Sequence, residues 1–434
     1  MRRCEGLMLP ALLILLPLAA VADEPVQDWP QPLTLDFVLE HVDQSHPDLQ
    51  LAEAAVAQAR AVQQQAESRY GLRSSLLARL RWIEPSPLAH DPSRQDHRLR
   101  LQVSKRLYDF GRTAALEAAA EADLAAQQQR YRDALNQYRL AVMAAYFDVL
   151  LVDLEVIRDN EAMSIGYVNF DRAQSRNELG QLSDIELLRF ESVYQLTRAR
   201  QYASSTRQRT ARQRLANLIN RSDKLPAELT APALPDVQRD IPEVAAWFAS
   251  AEAANPELIA LQVAVQGARE RLSAAQAGSY PVLNGQAEVS AYRRESGGND
   301  PWRVGLSLDV PLTTGGETRA QATQRRAELQ ATRARLERRR REIREAVLES
   351  WSALHSLRAR RQELAVQAEY RDLYLDRSRA LYELEMKSDL GDAMTQTSDV
   401  RLQQARVDYE ITLAWARVRA LLGQDVTLKG ERQP

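Results

Sequence analysis

Two distant stretches of this 434-residue chain are versions of one another. Residues 46–69 can be laid on 255–278 at a constant offset of 209, with seven of the 24 positions identical, Pro47 and Pro256, Leu49 and Leu258, and Arg60 and Arg269 among them. The correspondence continues downstream. Leu107-Tyr108-Asp109-Phe110-Gly111 falls on Leu312-Thr313-Thr314-Gly315-Gly316 at offset 205, and the segment around Tyr146 falls on the one around Trp351. Solenoid repeats recur every ~20–50 residues. A period near 205 instead means one large unit, duplicated and fused, so the fold must carry an internal pseudo-symmetry.

Each unit has the same internal order. Pro47 and Pro256, behind His46 and Asn255, suit the first position of a helix and open Ala-rich helical segments. After Gly71 a period of two takes over: Leu76, Ala78, Leu80 and Trp82 alternate with Ser75, Leu77, Arg79 and Arg81, and beyond a polar turn Leu99, Leu101 and Val103 alternate with Arg98, Arg100, Gln102 and Ser104. The second unit repeats this from Leu283 to Ala291 and from Trp302 to Val310. A hairpin of two strands of about ten residues is expected in each unit, at about 72–108 and about 282–312. Each hairpin leads into a very long helical stretch. From Arg112 to about Leu179 the apolar positions Tyr131, Leu135, Tyr138, Val142, Tyr146 and Val149 advance in threes and fours with no proline, a reach of roughly 100 Å at ~1.5 Å per residue. The chain turns at Gly180 and runs back from Asp184 to about Asn220, and the second unit does the same from Glu317 to about Tyr382 and from Ser388 to Leu422. The expected organisation is a first repeat over 23–225, a linker over 226–242 marked by Pro226, Pro232, Pro235 and Pro242, a second repeat over 243–423 and a short tail over 424–434.

The opening residues 1–22 carry Arg2 and Arg3, an apolar run from Leu7 to Leu18, and Ala20-Val21-Ala22 just before Asp23. This reads as a cleaved secretory signal. Its single Cys4 precedes the apolar run, so the mature chain holds no disulfide and no cysteine-ligated metal. Loss of Arg2, Arg3 and Glu5 leaves a formal net charge of −3, against nucleic acid as the main partner. Aromatics at 6% and charged residues at 27% suit long helices with narrow apolar seams, packed as coiled coils. No mature segment has the length and apolarity of a transmembrane helix, so contact with a membrane would fall to the strands or to a surface helix. Trp82, Tyr108, Tyr292 and Trp302 sit near strand ends, where an interfacial girdle belongs. Four strands cannot close a barrel, whereas three copies of the chain would supply twelve.

In this arrangement the chain resembles the TolC-type outer-membrane efflux channel family. The resemblance is carried by the openings (Leu33-Thr34-Leu35 through His46-Pro47-Asp48-Leu49, and Asn255-Pro256-Glu257-Leu258), by the corners Leu107 to Thr113 and Val310 to Gly316, and by the closing Ala420-Leu421-Leu422-Gly423. It implies a mainly α fold with a membrane β-barrel portion: a homotrimer whose twelve-stranded β-barrel in the outer membrane of a Gram-negative bacterium continues as a twelve-helix α-barrel tunnel through the periplasm. It also implies a passive conduit without cofactor or enzymatic chemistry, in contact with outer-membrane lipid and docked through a periplasmic adaptor to an inner-membrane pump of RND or ABC type. An exit duct for type I protein secretion is the alternative use of such a pore, and a soluble periplasmic coiled-coil scaffold is the alternative outside the channel class.

The resemblance assigns candidate residues. Asp389 and Asp392, three apart and 34 and 31 positions before Gly423, match the place where the family carries acidic residues facing the pore, so threefold symmetry would stack two carboxylate rings that favour cations. The helical turns become adaptor-docking tips: Gly180, Leu182, Ser183 and Asp184 in the first unit, Glu385, Met386, Lys387 and Ser388 in the second. The second turn lacks the glycine, and the offset falls to 203 across it, which the sequence alone places as two residues lost from that turn. Arg377, Arg379, Glu383 and Glu385 are candidate latches between protomers. On the presumed lumen face of the strands Arg79, Arg81, Arg98, Arg100 and Arg303 outnumber Glu288 and Asp309, which suggests an exit that attracts anions. The run Arg338 to Arg341, flanked by Glu337 and Glu342, reads as a solvated helix face rather than a nucleic-acid patch. The histidines show no metal-ligand spacing, and no phosphate loop or nucleophile elbow is present.

Overall fold

The computed structural model describes residues 30–41, 46–221, 228–294, 300–384, 386 and 389–427. The expected secretory signal over 1–22 and the expected tip residues Glu385, Lys387 and Ser388 lie outside the described residues. Both units follow one order of elements. In the first, α1 (Leu35–Glu40) and α2 (Pro47–Glu67) precede β1 (Arg73–Arg79) and β2 (Arg98–Tyr108), and α3 (Arg112–Glu178) and α4 (Asp184–Leu218) follow. In the second, α5 (Val244–Ala254) and α6 (Pro256–Gln276) precede β3 (Val282–Tyr292) and β4 (Trp302–Asp309), and α7 (Glu317–Glu383) and α8 (Leu390–Leu421) follow.

The backbone repeats in detail where the sequence does not. Phe110 and Gly111 take positive φ (55° and 88°) ahead of α3, and Gly315 and Gly316 take the same conformation (58° and 90°) ahead of α7. Asn220 (55°) and Gly423 (73°) likewise close α4 and α8 in the left-handed region. The second of these positions requires glycine, because a Cβ on Gly423 would stand 2.0 Å from the carbonyl oxygen of Ala254. The caps of α2 and α6 correspond too: the His46 ring accepts from Asp48 N, and Asn255 Oδ1 accepts from Glu257 N and Leu258 N.

The helix ends correct the expected second turn. Six residues separate α7 from α8 and five separate α3 from α4, so that turn is not the shorter one. The deficit lies in the returning helix instead, since α8 has 32 residues and α4 has 35. β1 is also shorter than expected, at seven residues. It pairs on one side only, and beyond Arg79 its pairing thins to a single bridge between Trp82 and Gln95.

The helices lie side by side. Near the sheet, α2 packs on α3, α3 on α6 and α6 on α7; further down, α4 pairs with α3, α8 with α7, and α8 also lies along α3. Small residues set the approach, as at Gly267, where a Cβ would be 3.2 Å from that of Ala122. The apolar core is concentrated at mid-height. Val142, Met143, Tyr146, Phe147 and Val149 of α3, at helical spacing, close over Leu33, Leu35 and Leu215, and Ile343, Val347 and Leu354 of α7 pack with Trp247, Ile411 and Trp415. Phe147 stacks on Tyr409 with ring centroids 4.6 Å apart.

The linker wraps this core as a belt. Leu33 bridges Leu229, with Leu33 N donating to Glu228 O at 3.0 Å and Thr230 N to Leu33 O at 2.9 Å. The Tyr146 hydroxyl lies 2.7 Å from the carbonyl oxygens of both Leu33 and Thr230. Trp351, its counterpart in the second unit, donates its indole N–H to Pro242 O at 3.1 Å. Asn136 joins the C-terminal strap to α3 through Gln424 O and Val426 N. Arg419 of α8 pairs with Asp236 in the belt, both buried, and donates to Thr427 O at 2.7 Å.

Candidate functional site

The four strands form one antiparallel sheet in the order β1-β2-β3-β4, with β1 and β4 as edges. Cross-strand register sorts the alternation into two faces. Leu76 stands opposite Leu101, Leu101 opposite Val289 and Val289 opposite Trp302; one step along, Val103 meets Ala287 and Ala287 meets Val304. The other face pairs Arg79 with Arg98, Gln102 with Glu288 and Glu288 with Arg303. Lys105 and Ser74 on the apolar face and Leu77 and Val282 on the polar face depart from this division. Burial runs opposite to that of a soluble sheet. Trp302 (68%), Val304 (72%) and Leu306 (73%) are among the most exposed side chains, whereas Arg98, Arg100, Glu288 and Ser290 are partly or fully shielded. An apolar patch of this extent, open to the surroundings, marks a binding or membrane surface.

Aromatic side chains gather at both ends of this face. At the far end Trp82 lies edge-on to His97 at 5.0 Å, with Trp302 at the start of β4. At the helix end a register shift between Arg106 and Tyr108 brings Tyr108 opposite Leu283, onto the apolar side. There Tyr108, Phe110 and Tyr280 form an edge-to-face row with centroid separations of 4.8 and 6.5 Å. Tyr292 does not belong to either group. It stands opposite Arg98, whose guanidinium lies 5.0 Å from the ring centroid, and so faces the polar side. Phe110 and Tyr280 were missing from the residues read from sequence, although the alignment of Phe110 with Gly315 already marked a special backbone position.

The polar face holds fewer free charges than the sequence count gives. Arg100 pairs with Glu288 at 3.0 Å, Arg303 with Asp300 at 3.1 Å, and Arg81 with Asp96. Asp300 and Asp96 lie in the connecting loops, outside the alternation, and were not counted. The expected excess of arginine is thereby much reduced.

Asp109 fixes the corner between β2 and α3. It is fully buried and accepts from the Tyr70 hydroxyl at 2.6 Å, from Thr113 N at 3.0 Å and from the Thr113 hydroxyl, with Arg106 Nη1 3.5 Å away. Burial opposes its ionisation, but the hydrogen bonds from Thr113 and Tyr70 and the charge of Arg106 outweigh that and hold its carboxyl below the usual carboxylate range. Burial, together with the bond to Asp109, pushes the Tyr70 hydroxyl up to about 12.

At the opposite end, the α3–α4 turn is tightly bonded. Gly180 (φ 70°) donates to Asn177 O and Gln181 N to Arg176 O, both at 2.8 Å, the pattern of a glycine-terminated helix. Ser183 caps α4 through Glu186 N, and Asn177 Nδ2 donates to Leu182 O and Asp184 Oδ1 at 2.9 Å. Around it Leu179, Ile185 (81% exposed) and Leu188 project outward, and Leu384 and Met386 do so beside the second turn. Leu179, Ile185 and Leu188 were not among the tip residues read from sequence.

Asp389 and Asp392 both lie exposed at the start of α8. The Asp389 carbonyl accepts from Ala393 N at 3.0 Å, and Gln396 Nε2 donates to Asp392 Oδ2. Between them Gly391 touches α3, where a Cβ would be 2.7 Å from Ile165 Cγ2. Higher up, Arg158 of α3 donates to Asp159 at 2.7 Å and to Asp399 of α8 at 3.0 Å, and Ser398 donates to Glu161. These bonds clamp α8 to α3 above the acidic pair. Of the candidate latch residues between protomers, Arg379 reaches Asp376 on its own helix at 3.9 Å and Glu383 is exposed. The arginine run behaves as a helix face, with Arg338 pairing with Glu342, Arg339 with Glu257 and Glu342, and Arg340 with Glu252 and Glu337 at 2.5–3.3 Å. Among the described residues no His, Cys, Asp and Glu group is placed to hold a metal ion, and no helix is long and apolar enough to cross a membrane.

Comparison with known proteins gives a consistent picture. Residues 247–424 match the family model for outer membrane efflux proteins. The chain is 25% identical over 265 residues to outer membrane efflux protein BepC of Brucella suis, an alignment covering 60% of this chain and 57% of BepC. It is also 25% identical over 316 residues to alkaline protease secretion protein AprF of Pseudomonas aeruginosa, covering 68% of this chain and 63% of AprF. Both alignments thus span less than two thirds of the relative's own length. The crystal structure of outer membrane protein VceC of Vibrio cholerae shares the fold, with a TM-score of 0.71 at 18% identity over 91% of this chain and 97% of that one.

Proposed function

We propose that the chain is a member of the outer membrane efflux protein family, whose model matches residues 247–424, and that it is the outer-membrane conduit of a tripartite efflux system. The observation that carries this reading is the inverted sheet. An apolar face exposed on strands of up to 11 residues has the length a membrane strand needs, ~9–11 residues, and the free edges of β1 and β4 are costly unless another chain pairs with them. Three copies joined edge to edge close a twelve-stranded barrel with the apolar face towards lipid and the polar face inward. The two 67-residue helices then carry the lumen roughly 100 Å into the periplasm. The channel conducts passively, and an inner-membrane pump that reaches it through a periplasmic adaptor drives the export. The exposed side chains at the two turns, Leu179, Ile185, Leu384 and Met386 among them, suit that docking.

A second use of the same pore is favoured by one observation, the similarity to AprF, whose name concerns secretion of a protease. As the exit duct of a type I secretion system the chain would have the same architecture and a different pump. Cell fractionation followed by sizing in mild detergent tests the shared reading: a heat-labile trimer in the outer membrane is expected, and a monomer extracted in aqueous buffer would refute it. The adaptor and pump that co-purify with the trimer then separate efflux from secretion.

Asp389 and Asp392 are proposed as the constriction at the periplasmic mouth. The clamp between Arg158 and Asp399 supports a hinge there, because α8 is tied to α3 above the pair and only its first turns need move. In planar bilayers, Asp389→Asn/Asp392→Asn should lower the preference for K⁺ over Cl⁻ several-fold and weaken block by trivalent cations about tenfold. Unchanged selectivity and block would remove these residues from the pore.

A further inference from the structure

Where the sheet meets the helices, a cavity of about 490 Å³ is lined by side chains from α2, α3, α6 and α7 together. A hollow that touches four helices lying side by side must open on the face they share. Its charge is one-sided: Arg69, Arg112, Arg271 and Arg325 line it against the carboxylate of Asp123. Asp123 is already paired with Arg271, and Arg325 reaches Glu328 at 2.7 Å. The guanidinium groups of Arg69 and Arg112 have no hydrogen-bond or ion-pair partner among the described residues. The floor is made largely of alanine, Ala66, Ala119 and Ala120 included, so the space beneath the guanidinium groups stays open. Guanidinium groups that line one hollow repel one another unless an anion lies between them, and their planar forks match the oxygens of phosphate. A volume of this size falls within the ~300–1,000 Å³ typical of small-ligand sites.

We propose that this cavity is a phosphate-binding site, with Arg69 and Arg112 as the principal ligands and Arg325 as a third. Arg112 is the first residue of α3, and Arg69 lies four residues ahead of β1. With the sheet in the membrane, the site stands at the depth of the periplasmic lipid headgroups. That placement rests on the function proposed above; the charge and shape of the cavity do not. The phosphate belongs either to a phospholipid headgroup or to a dissolved phosphorylated compound passing through the tunnel.

Titration of inorganic pyrophosphate into the detergent-solubilised full chain, followed by calorimetry, tests the site without requiring channel activity. Saturable binding at one site per chain is expected, weakened at least tenfold by Arg69→Gln/Arg112→Gln and unchanged by Arg326→Gln, an exposed arginine of α7 outside the cavity. Arg325→Gln serves as the second variant should the double substitution impair folding. Native mass spectrometry after passage through phosphatidylglycerol vesicles separates the sources. A lipid adduct that pyrophosphate displaces and the double variant loses identifies a headgroup site, whereas pyrophosphate binding without an adduct identifies a site for dissolved phosphate compounds. Absence of saturable binding, or equal weakening by Arg326→Gln, would overturn the proposal, because diffuse surface charge would then account for any attraction.

Discussion

Leu101→Arg combined with Val304→Arg should abolish stable assembly in the outer membrane. Both side chains lie on the apolar face within the strands, and an arginine on the lipid face costs ~2–4 kcal/mol at the bilayer midplane and less toward the interfaces. Two substitutions therefore remove up to about 4–8 kcal/mol per chain, an amount that approaches the whole stability of many folded domains. The measurement is the fraction of chain recovered as heat-labile trimer from outer membranes. Gln102→Arg/Ser307→Arg is the matched control, because it places the same charges on the polar face of the same sheet and should leave most of the trimer intact. Equal loss in both variants would mean that the two faces do not differ in environment, and the membrane reading of the sheet would fall with that result.

Arg419→Ala should lower the stability of the helical part by about 2–4 kcal/mol, somewhat below the ~3–5 kcal/mol cost of leaving one member of a buried ion pair alone, because Arg239 Nη1 remains 3.7 Å from Asp236. The Arg419 and Asp236 side chains are only 8% and 4% exposed, so water cannot replace the lost guanidinium. Removal also takes away the bond that Arg419 donates to the Thr427 carbonyl and loosens the belt from α8. Denaturant unfolding in detergent measures the change, read as a shift in midpoint. The double variant Asp236→Leu/Arg419→Met is the informative comparison: it should recover most of the loss, because replacing both charges by apolar groups is often nearly neutral. A loss below ~1 kcal/mol for Arg419→Ala would place the pair with ordinary surface ion pairs.

The long elements were legible in the sequence because each depends on a local signal repeated many times. The period-two runs gave the strands, and proline-free seams with glycine-bearing corners gave helices whose bounds agree to within a few residues. Local signals also revealed the duplication, down to the matched backbone at Phe110-Gly111 and Gly315-Gly316. What escaped depends on contacts between distant residues. No pattern near Asp109 announces that Tyr70 will reach it from 39 positions away, nor does Arg158 announce Asp399, 241 positions later. Tyr292 was misplaced as a girdle residue because position near a strand end was weighed above parity, and parity set it beside Arg98. The misplaced deficit at the second turn has a similar origin. An offset shows that residues are missing but not which element gave them up, and here α8 did.

The equal length of α3 and α7, 67 residues each, makes the chain its own ruler. Both helices hang from corners of identical backbone conformation, so the two turns at their far ends stand level only while the counts agree. A single residue deleted from one helix would lift its turn by ~1.5 Å and rotate everything below the deletion by ~100°, swinging a buried seam toward solvent. Surviving insertions and deletions should therefore be whole heptads made in both copies at once. Shared length thus restricts how the two halves can diverge: their side chains may drift apart freely, while the spacing between corner and tip can change only in concert.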